Sequence, residues 1–309
     1  MIDPKEHQPS DLCLPECPPS GEGCHRWLYL VINGLVNAGL DDDDIEAWVD
    51  HWMSRPAQPG EVENTLRKIR GGGLHNRTHY IPRHDLDPDA IKEATKEGPT
   101  SFEEIEAMSP IDPRSVTVHD YLRMVYADGE RTVVFNDERS QGQMVWGHST
   151  PRGFLDWVIK NNRVGAWFLM NPVSGEKTFI ERLGKASRRA EESISAYKFA
   201  LVESDKIEPN LWLTILKKLP LPIVSITLSG NESAHSIILI NATSKEQWSE
   251  RVRKLASLVV PLGACQGSLT AVRLTRLPFV ERKDTGKEQR LLYLNPTPSP
   301  LPLTMQSAS

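Results

Sequence analysis

Glu203 and Asp205 stand two residues apart at the end of the apolar run FALVES (199–204). Alternate residues of a strand leave the same face with Cα atoms roughly 6.5 Å apart, so this spacing predicts two converging carboxylates. Carboxylate oxygens suit hard cations such as Mg²⁺ or Mn²⁺. A pair of such ions about 4 Å apart activates the attacking oxygen and holds the phosphates in phosphoryl transfer. Strand-end acids are also common on solvated surfaces, so the pair acquires meaning from its neighbours. If the two acids serve as metal ligands, they repel each other in the free protein. Alanine at either position is then expected to leave the melting temperature unchanged or raised.

The neighbours are phosphate-binding types. Ser233-Ala234-His235 opens the run HSIILIN (235–241) after the turn SGNESA. A histidine at that strand start can grip a triphosphate, and the backbone amides of the turn can receive phosphate oxygens. A lone strand histidine is more often a satisfied structural residue. VRLTRLP (272–278) supplies Arg273 and Arg276, whose guanidinium groups bind phosphates or close an ion pair with the acids. SGEKT (174–178) lacks the adjacent Gly-Lys and the upstream glycine that a phosphate loop needs.

Elements that position these residues follow from residue 116 onward. VVF (133–135) and VGAWFLM (164–170) read as strands, with a helix opened by Pro151 between them. Then come the strand FALVES, a helix beginning at Pro209, the strands PIVSITL (222–228) and HSIILIN, a helix with the capping box Ser244 to Gln247, and a final strand RLLYL (290–294). The order β-α-β-β-α-β predicts an α+β fold with an RNA-recognition-motif-like (RRM-like) split βαβ core, whose open sheet can face a nucleic acid or nucleotide.

Ahead of that core, Leu28, Val31, Ile32, Leu35 and Val36 form one helical face. Asp41 to Asp44 cap and charge the start of a second helix carrying Ile45, Trp48, Val49 and Trp52, and Val62, Leu66 and Ile69 mark a third. A small three-helix bundle is expected over 24–70. Residues 71–115, rich in Gly, Pro, His and Asp, read as a linker with one short helix capped by Ser101 and Glu104. The ends, 1–23 and 297–309, read as disordered. Cys13, Cys17, Cys24 and His25 have no familiar zinc spacing. His75, His79 and His84 in the linker read as solvated.

The composition, 25% charged and 39% hydrophobic, is that of an ordinary globular protein of about two domains. The start, MIDPKEHQ, is polar and no apolar run approaches about 18 residues, so a cytoplasmic protein without a membrane partner is expected. Net charge is −5, yet residues 245–290 carry ten Lys/Arg against five Asp/Glu, while residues 1–75 carry six against thirteen. The basic balance lies beside the candidate site.

Taken in order, VESD, SAH and the stretch before RLTRLP resemble the motifs of the archaeo-eukaryotic primase superfamily, in particular the primase/polymerase-like proteins of plasmids, phages and other mobile elements. GAWFLMNP, SGNESAH and RLLYLNP look like the same group, and the likeness covers about residues 116–296. The N-terminal bundle, with RPAQPGEVENTLRKI, is similar to the small helical domain that accompanies such primases, usually behind the catalytic domain. The resemblance implies a nucleotidyltransferase with Glu203 and Asp205 binding Mg²⁺ or Mn²⁺, and with Ser233, His235, Arg273 and Arg276 contacting the incoming nucleoside triphosphate. Its partners would be a single-stranded DNA template and a separate helicase. Where the family places a third acid, this chain has Cys265, with Glu232, Glu281 or Asp284 as substitutes. The alternative is a catalytically impaired relative that binds single-stranded DNA or an origin as a replication accessory protein. A plain interaction protein is the third reading.

Overall fold

The chain forms two units, Met1–Thr78 and His79–Ser309. The computed structural model describes residues 14–19, 23–37, 40–70, 84–138, 141–161, 166–180, 185–231 and 233–299.

In the first unit, α1 (Cys24–Asn37), α2 (Asp42–Trp52) and α3 (Glu61–Lys68) share one apolar cluster built from Leu28, Ile32, Leu35, Ile45, Trp48 and Leu66. The acidic run has the capping role its position predicts, since the Asp41 side chain accepts from the Asp44 N–H. Residues 14–19, expected to be disordered, lie on these helices instead. Leu14 and Cys17 pack against the cluster, and the Trp27 indole donates to the Pro15 carbonyl at 2.6 Å.

The second unit begins its described part with α4 (Pro88–Ala94), α5 (Phe102–Ala107) and α6 (Val118–Val125). The stretch 84–115 therefore does not behave as the expected linker. Ile105 is buried in the main core, and the Thr214 hydroxyl donates to the Gly98 carbonyl and accepts from the Thr100 N–H, fastening the segment to a core helix. Asp87 and Ser101 cap two helices here rather than one.

Two four-stranded sheets follow. The first has the order β2-β1-β3-β9, from β1 (Arg131–Glu138), β2 (Gln141–Trp146), β3 (Trp167–Leu169) and β9 (Leu274–Arg276), with α7 (Arg152–Lys160) between β2 and β3. A small hairpin of β4 (Thr178–Ile180) and β5 (Lys185–Ser187) comes next in the chain. The second sheet has the order β12-β7-β8-β6, from β6 (Tyr197–Glu203), β7 (Ile223–Leu228), β8 (Ala234–Ala242) and β12 (Leu291–Leu294). Helix α8 (Pro209–Lys218) joins β6 to β7, and α9 (Lys245–Val259) follows β8. Strands β6 and β7 are both antiparallel to β8, which lies between them, so α8 connects two parallel strands split by a third. The insertion between α9 and β12 carries β9 into the other sheet and adds a hairpin, β10 (Glu281–Arg282) with β11 (Lys287–Glu288). The architecture is α+β. Among the described residues no helix is long and apolar enough to cross a membrane.

Strand alternation sorts the second sheet into two faces. Ala200 and Val202 of β6 pack with Trp212, Trp248 and Val252 under α8 and α9. Phe199 and Leu201 point the other way, toward Phe168 and Met170 from the first sheet and Tyr121 and Leu155 from α6 and α7. Glu203 continues the Phe199–Leu201 face, so the sequence of β6 itself aims this acid at the space between the sheets.

Asn171, just past β3, is fully buried and ties the two sheets together. Its Oδ1 accepts from the N–H groups of Lys198 and Phe199 at 2.9 and 2.8 Å. Its Nδ2 donates to the carbonyls of Phe199 and Ala271, both at 3.0 Å. Alanine here strands main-chain groups of β6 and of the segment before β9, and each orphaned buried group costs about 1–3 kcal/mol. We expect Asn171→Ala to lower stability by about 2–4 kcal/mol, read from the urea midpoint of the full chain. A loss under about 0.5 kcal/mol, the size of an ordinary surface substitution, would show that the clamp is dispensable.

Candidate functional site

Where the two sheets diverge at the end of β6, they enclose a cleft of about 280 Å³ whose lining includes Glu203, Asp205, Ser233, His235, Arg273 and Arg276. All six residues singled out in the sequence thus meet in one place.

Glu203 and His235 are direct partners in the β6–β8 register and lie on the inner face of their sheet. The His235 Nε2 is 3.0 Å from Glu203 Oε2, and an Arg273 Nη2 donates to Glu203 Oε1. An ionised carboxylate only accepts, so Nε2 carries the proton in this contact. On its other side the His235 Nδ1 meets the Thr275 hydroxyl at 3.1 Å. Arg273 and Thr275, two apart on the approach to β9 and within it, reach Glu203 and His235 respectively. The Ser233 hydroxyl adds a 3.3 Å contact to His235 Nε2 and donates to Ser229 at 3.1 Å.

Asp205 does not share the strand face predicted for it. β6 stops at Glu203, and Asp205 sits exposed in the bend that follows. The bend is made by Ser204, whose buried hydroxyl donates to the Gly263 carbonyl at 2.7 Å and accepts from the N–H groups of Lys206 and Ile207. Gly263 is required there, because its φ is +108° and a Cβ would come within 2.5 Å of Ile207. The two acids therefore converge on the cleft through a turn, one buried and one open to solvent. Asp205 makes no ion pair among the described residues.

Arg276 is buried, with its guanidinium carbon 4.4 Å from the Trp167 ring centroid and a 3.4 Å contact to Gln289. Gln289 is itself held by the carbonyls of Leu277 and Ala166. Arg189, Arg282, Trp167, Ser229 and Asn231 also border the cleft. Of these, Arg189 and Arg282 carried no signal in the sequence, since each lies outside the three motifs. Trp167 and the 229–233 turn lay within phrases already singled out. Among the described lining residues four arginines stand against two carboxylates, which gives the cleft an excess of positive charge.

Cys265 is next to the site without lining it. Its N–H donates to the Glu203 carbonyl at 2.7 Å, and it precedes a 3-10 turn at 266–268. Glu281 pairs with Lys283 and Asp284 with Arg282, and neither borders the cleft, while Glu232 falls outside the described residues. Among the described residues no group of three or more His, Cys, Asp or Glu side chains converges to hold a metal. In the first unit, Cys17 and Cys24 are each 3.4 Å from the Ser54 hydroxyl, and His25 contacts Glu61 instead. Cys13, His75 and His79 fall outside the described residues.

No protein-family model matches the chain, and no curated protein matches it. Among solved structures, it is similar to the AEP domain of the cyanophage S-2L primase-polymerase (PrimPol), at 13% identity and a TM-score of 0.42, over 58% of this chain and 90% of that one. A likeness of that size carries no argument about function.

The environment of Glu203 overturns the expectation that both acids are mutually repelling and neutral to stability. Burial pushes its carboxyl up, but the hydrogen bond and charge of His235, with the Arg273 guanidinium, outweigh it and hold the group at about 2, below the ordinary 4.5. A carboxyl with a lowered folded value contributes stability that is complete above about pH 4.5 and lost as pH falls toward 2. Urea midpoints followed from pH 6 to pH 2 should therefore fall more steeply in wild type than in Glu203→Gln, with the difference confined to that acid window. Parallel pH profiles would mean that Glu203 is not held ionised by its neighbours.

Proposed function

We propose that the cleft is the nucleotidyl-transfer site of a primase/polymerase of the archaeo-eukaryotic type, acting on nucleoside triphosphates in the replication of a plasmid, phage or other mobile element. The observation that carries this reading is the convergence of an acid pair, a strand histidine and several arginines, from separate segments, on one cleft between two sheets. In this reading the sheet of β6, β7, β8 and β12 is an RRM-like platform, the N-terminal helices are an accessory bundle, and the template is single-stranded DNA. Unwinding falls to a separate helicase, and the setting is cytoplasmic.

The donor set fits Mg²⁺ or Mn²⁺. Such ions are commonly held by one or two carboxylates together with substrate phosphates and water, and Glu203 and Asp205 offer two carboxylates beside a polyanion pocket. When bound, the ions would activate the primer hydroxyl and neutralise charge on the phosphates. The chain's own residues do the rest. Arg273 and Arg276 take phosphate oxygens with fixed forks and stabilise the charge that grows on them. Ser233 and His235 border the triphosphate.

A second reading, a catalytically impaired relative that binds single-stranded DNA or an origin, is favoured by one observation. Among the described residues two carboxylates border the cleft, one of them is tied to Arg273, and the position where the family has a third acid, Cys265, does not line it.

The deciding assay supplies purified protein with primed and unprimed single-stranded DNA, labelled nucleotides and either Mg²⁺ or Mn²⁺. Incorporation is expected in wild type. Asp205→Ala should lose at least about a hundredfold in rate with its urea midpoint unchanged, because the exposed side chain supports no packing. Glu203→Ala should lose both activity and on the order of 2–4 kcal/mol of stability. That is somewhat below a fully buried pair, because Arg273 is partly exposed. A wild-type protein inert with either metal that still binds single-stranded DNA would replace this reading with the second.

A further inference from the structure

We propose that Arg273 gates the acid pair: in the free protein it occupies Glu203, so the carboxylate becomes available to a divalent cation only when an arriving polyphosphate draws the guanidinium away. The inference rests on the nucleotidyl-transfer reading of the cleft and goes beyond it by coupling the two ligands through one residue, so that polyanion and cation each favour the other's binding.

Both oxygens of Glu203 are taken, Oε1 by Arg273 and Oε2 by His235. Asp205, by contrast, is exposed and makes no ion pair among the described residues, so a cation arriving alone finds one available carboxylate rather than two. Recruiting the second requires breaking a charge-assisted pair around a carboxylate that is almost wholly buried, where unpaired charge is expensive. Of the two partners, Arg273 is the one able to leave. Its side chain is 35% exposed against 9% for His235, whose ring is anchored on the far side by Thr275. Arg273 is also incompletely satisfied, because its Nε is buried without a hydrogen-bond partner. A phosphate group in the cleft presents several oxygens to the same fork, so it competes for Arg273 on better terms than a single carboxylate oxygen. His235 remains on Glu203 throughout and keeps the carboxylate aimed at the cleft. Because the coupling is an equilibrium one, each ligand must tighten the other by the same factor.

The test reads Mn²⁺ binding to the full chain by the electron paramagnetic resonance of the free ion, without nucleotide or catalysis. Arg273→Gln is expected to bind Mn²⁺ about tenfold or more tightly than wild type, within the usual range of such couplings. Adding Glu203→Gln to that variant should remove the gain. In case Arg273→Gln folds poorly, the wild type provides a second arm. Rising sulfate, which takes arginine forks and holds Mn²⁺ only weakly in solution, should tighten Mn²⁺ binding to the protein. Equal affinities with and without Arg273, and no response to sulfate, while Asp205→Asn still weakens Mn²⁺ binding, would overturn the gate and leave the carboxylate site standing. If Asp205→Asn changes nothing in either background, the carboxylates hold no cation, and both the gate and the metal-dependent reading fall.

Discussion

One buried amide ties together the segments from which the cleft is built. Asn171 spends all of its hydrogen-bonding capacity on main-chain groups of Lys198, Phe199 and Ala271, and so fixes the end of β3 against the start of β6 and against the segment that leads to Arg273. Those three attachments set how far the sheets can separate. The apolar residues between them, Phe168, Phe199, Leu201 and Ile237, fill the space near the clamp. Farther along β6 the filling changes from leucine to glutamate, and there the space becomes the cleft.

Placing a carboxylate at the rim of an apolar layer has two consequences that are usually treated separately. Desolvation demands partners, and His235 and Arg273 supply them, which makes Glu203 a stabilising residue. The same partners compete with any cation for its oxygens. Asp205 escapes this coupling because the Ser204 turn lifts it out of the strand and into solvent. Two acids separated by one residue thus have different electrostatic characters, set by the turn that Ser204 makes at the end of the strand.

The arginines divide in a similar way. Arg276 is buried against Trp167 and Gln289, a fixed element of the wall, whereas Arg273 lies at the edge with an unsatisfied Nε. The difference follows their places in the chain: Arg276 lies within β9, paired with Trp167 of β3, whereas Arg273 lies just before the strand.

Much of this was legible in the residues alone. The α8 start at Pro209, the α9 cap at Ser244, the helices behind Asp41 and the strands of the second sheet are local matters of capping, proline geometry and apolar period, and they formed where those signals lie. Glu203, Asp205, Ser233, His235, Arg273 and Arg276, singled out by residue type and motif, likewise meet at one cleft. What the chain could not disclose locally is which of these groups satisfies which. The 84–115 segment looked like a linker because its composition is polar, and only the docking of Ile105 and the contacts to Thr214 give it a place. Arg189 and Arg282 reach the cleft from segments that carry no motif, and Cys265 misses it although its main chain touches Glu203. Spacing along a chain fixes which residue types are present. Burial, and with it the pairing of Glu203 to Arg273 and His235, exists only once two sheets have closed on each other and taken the water away.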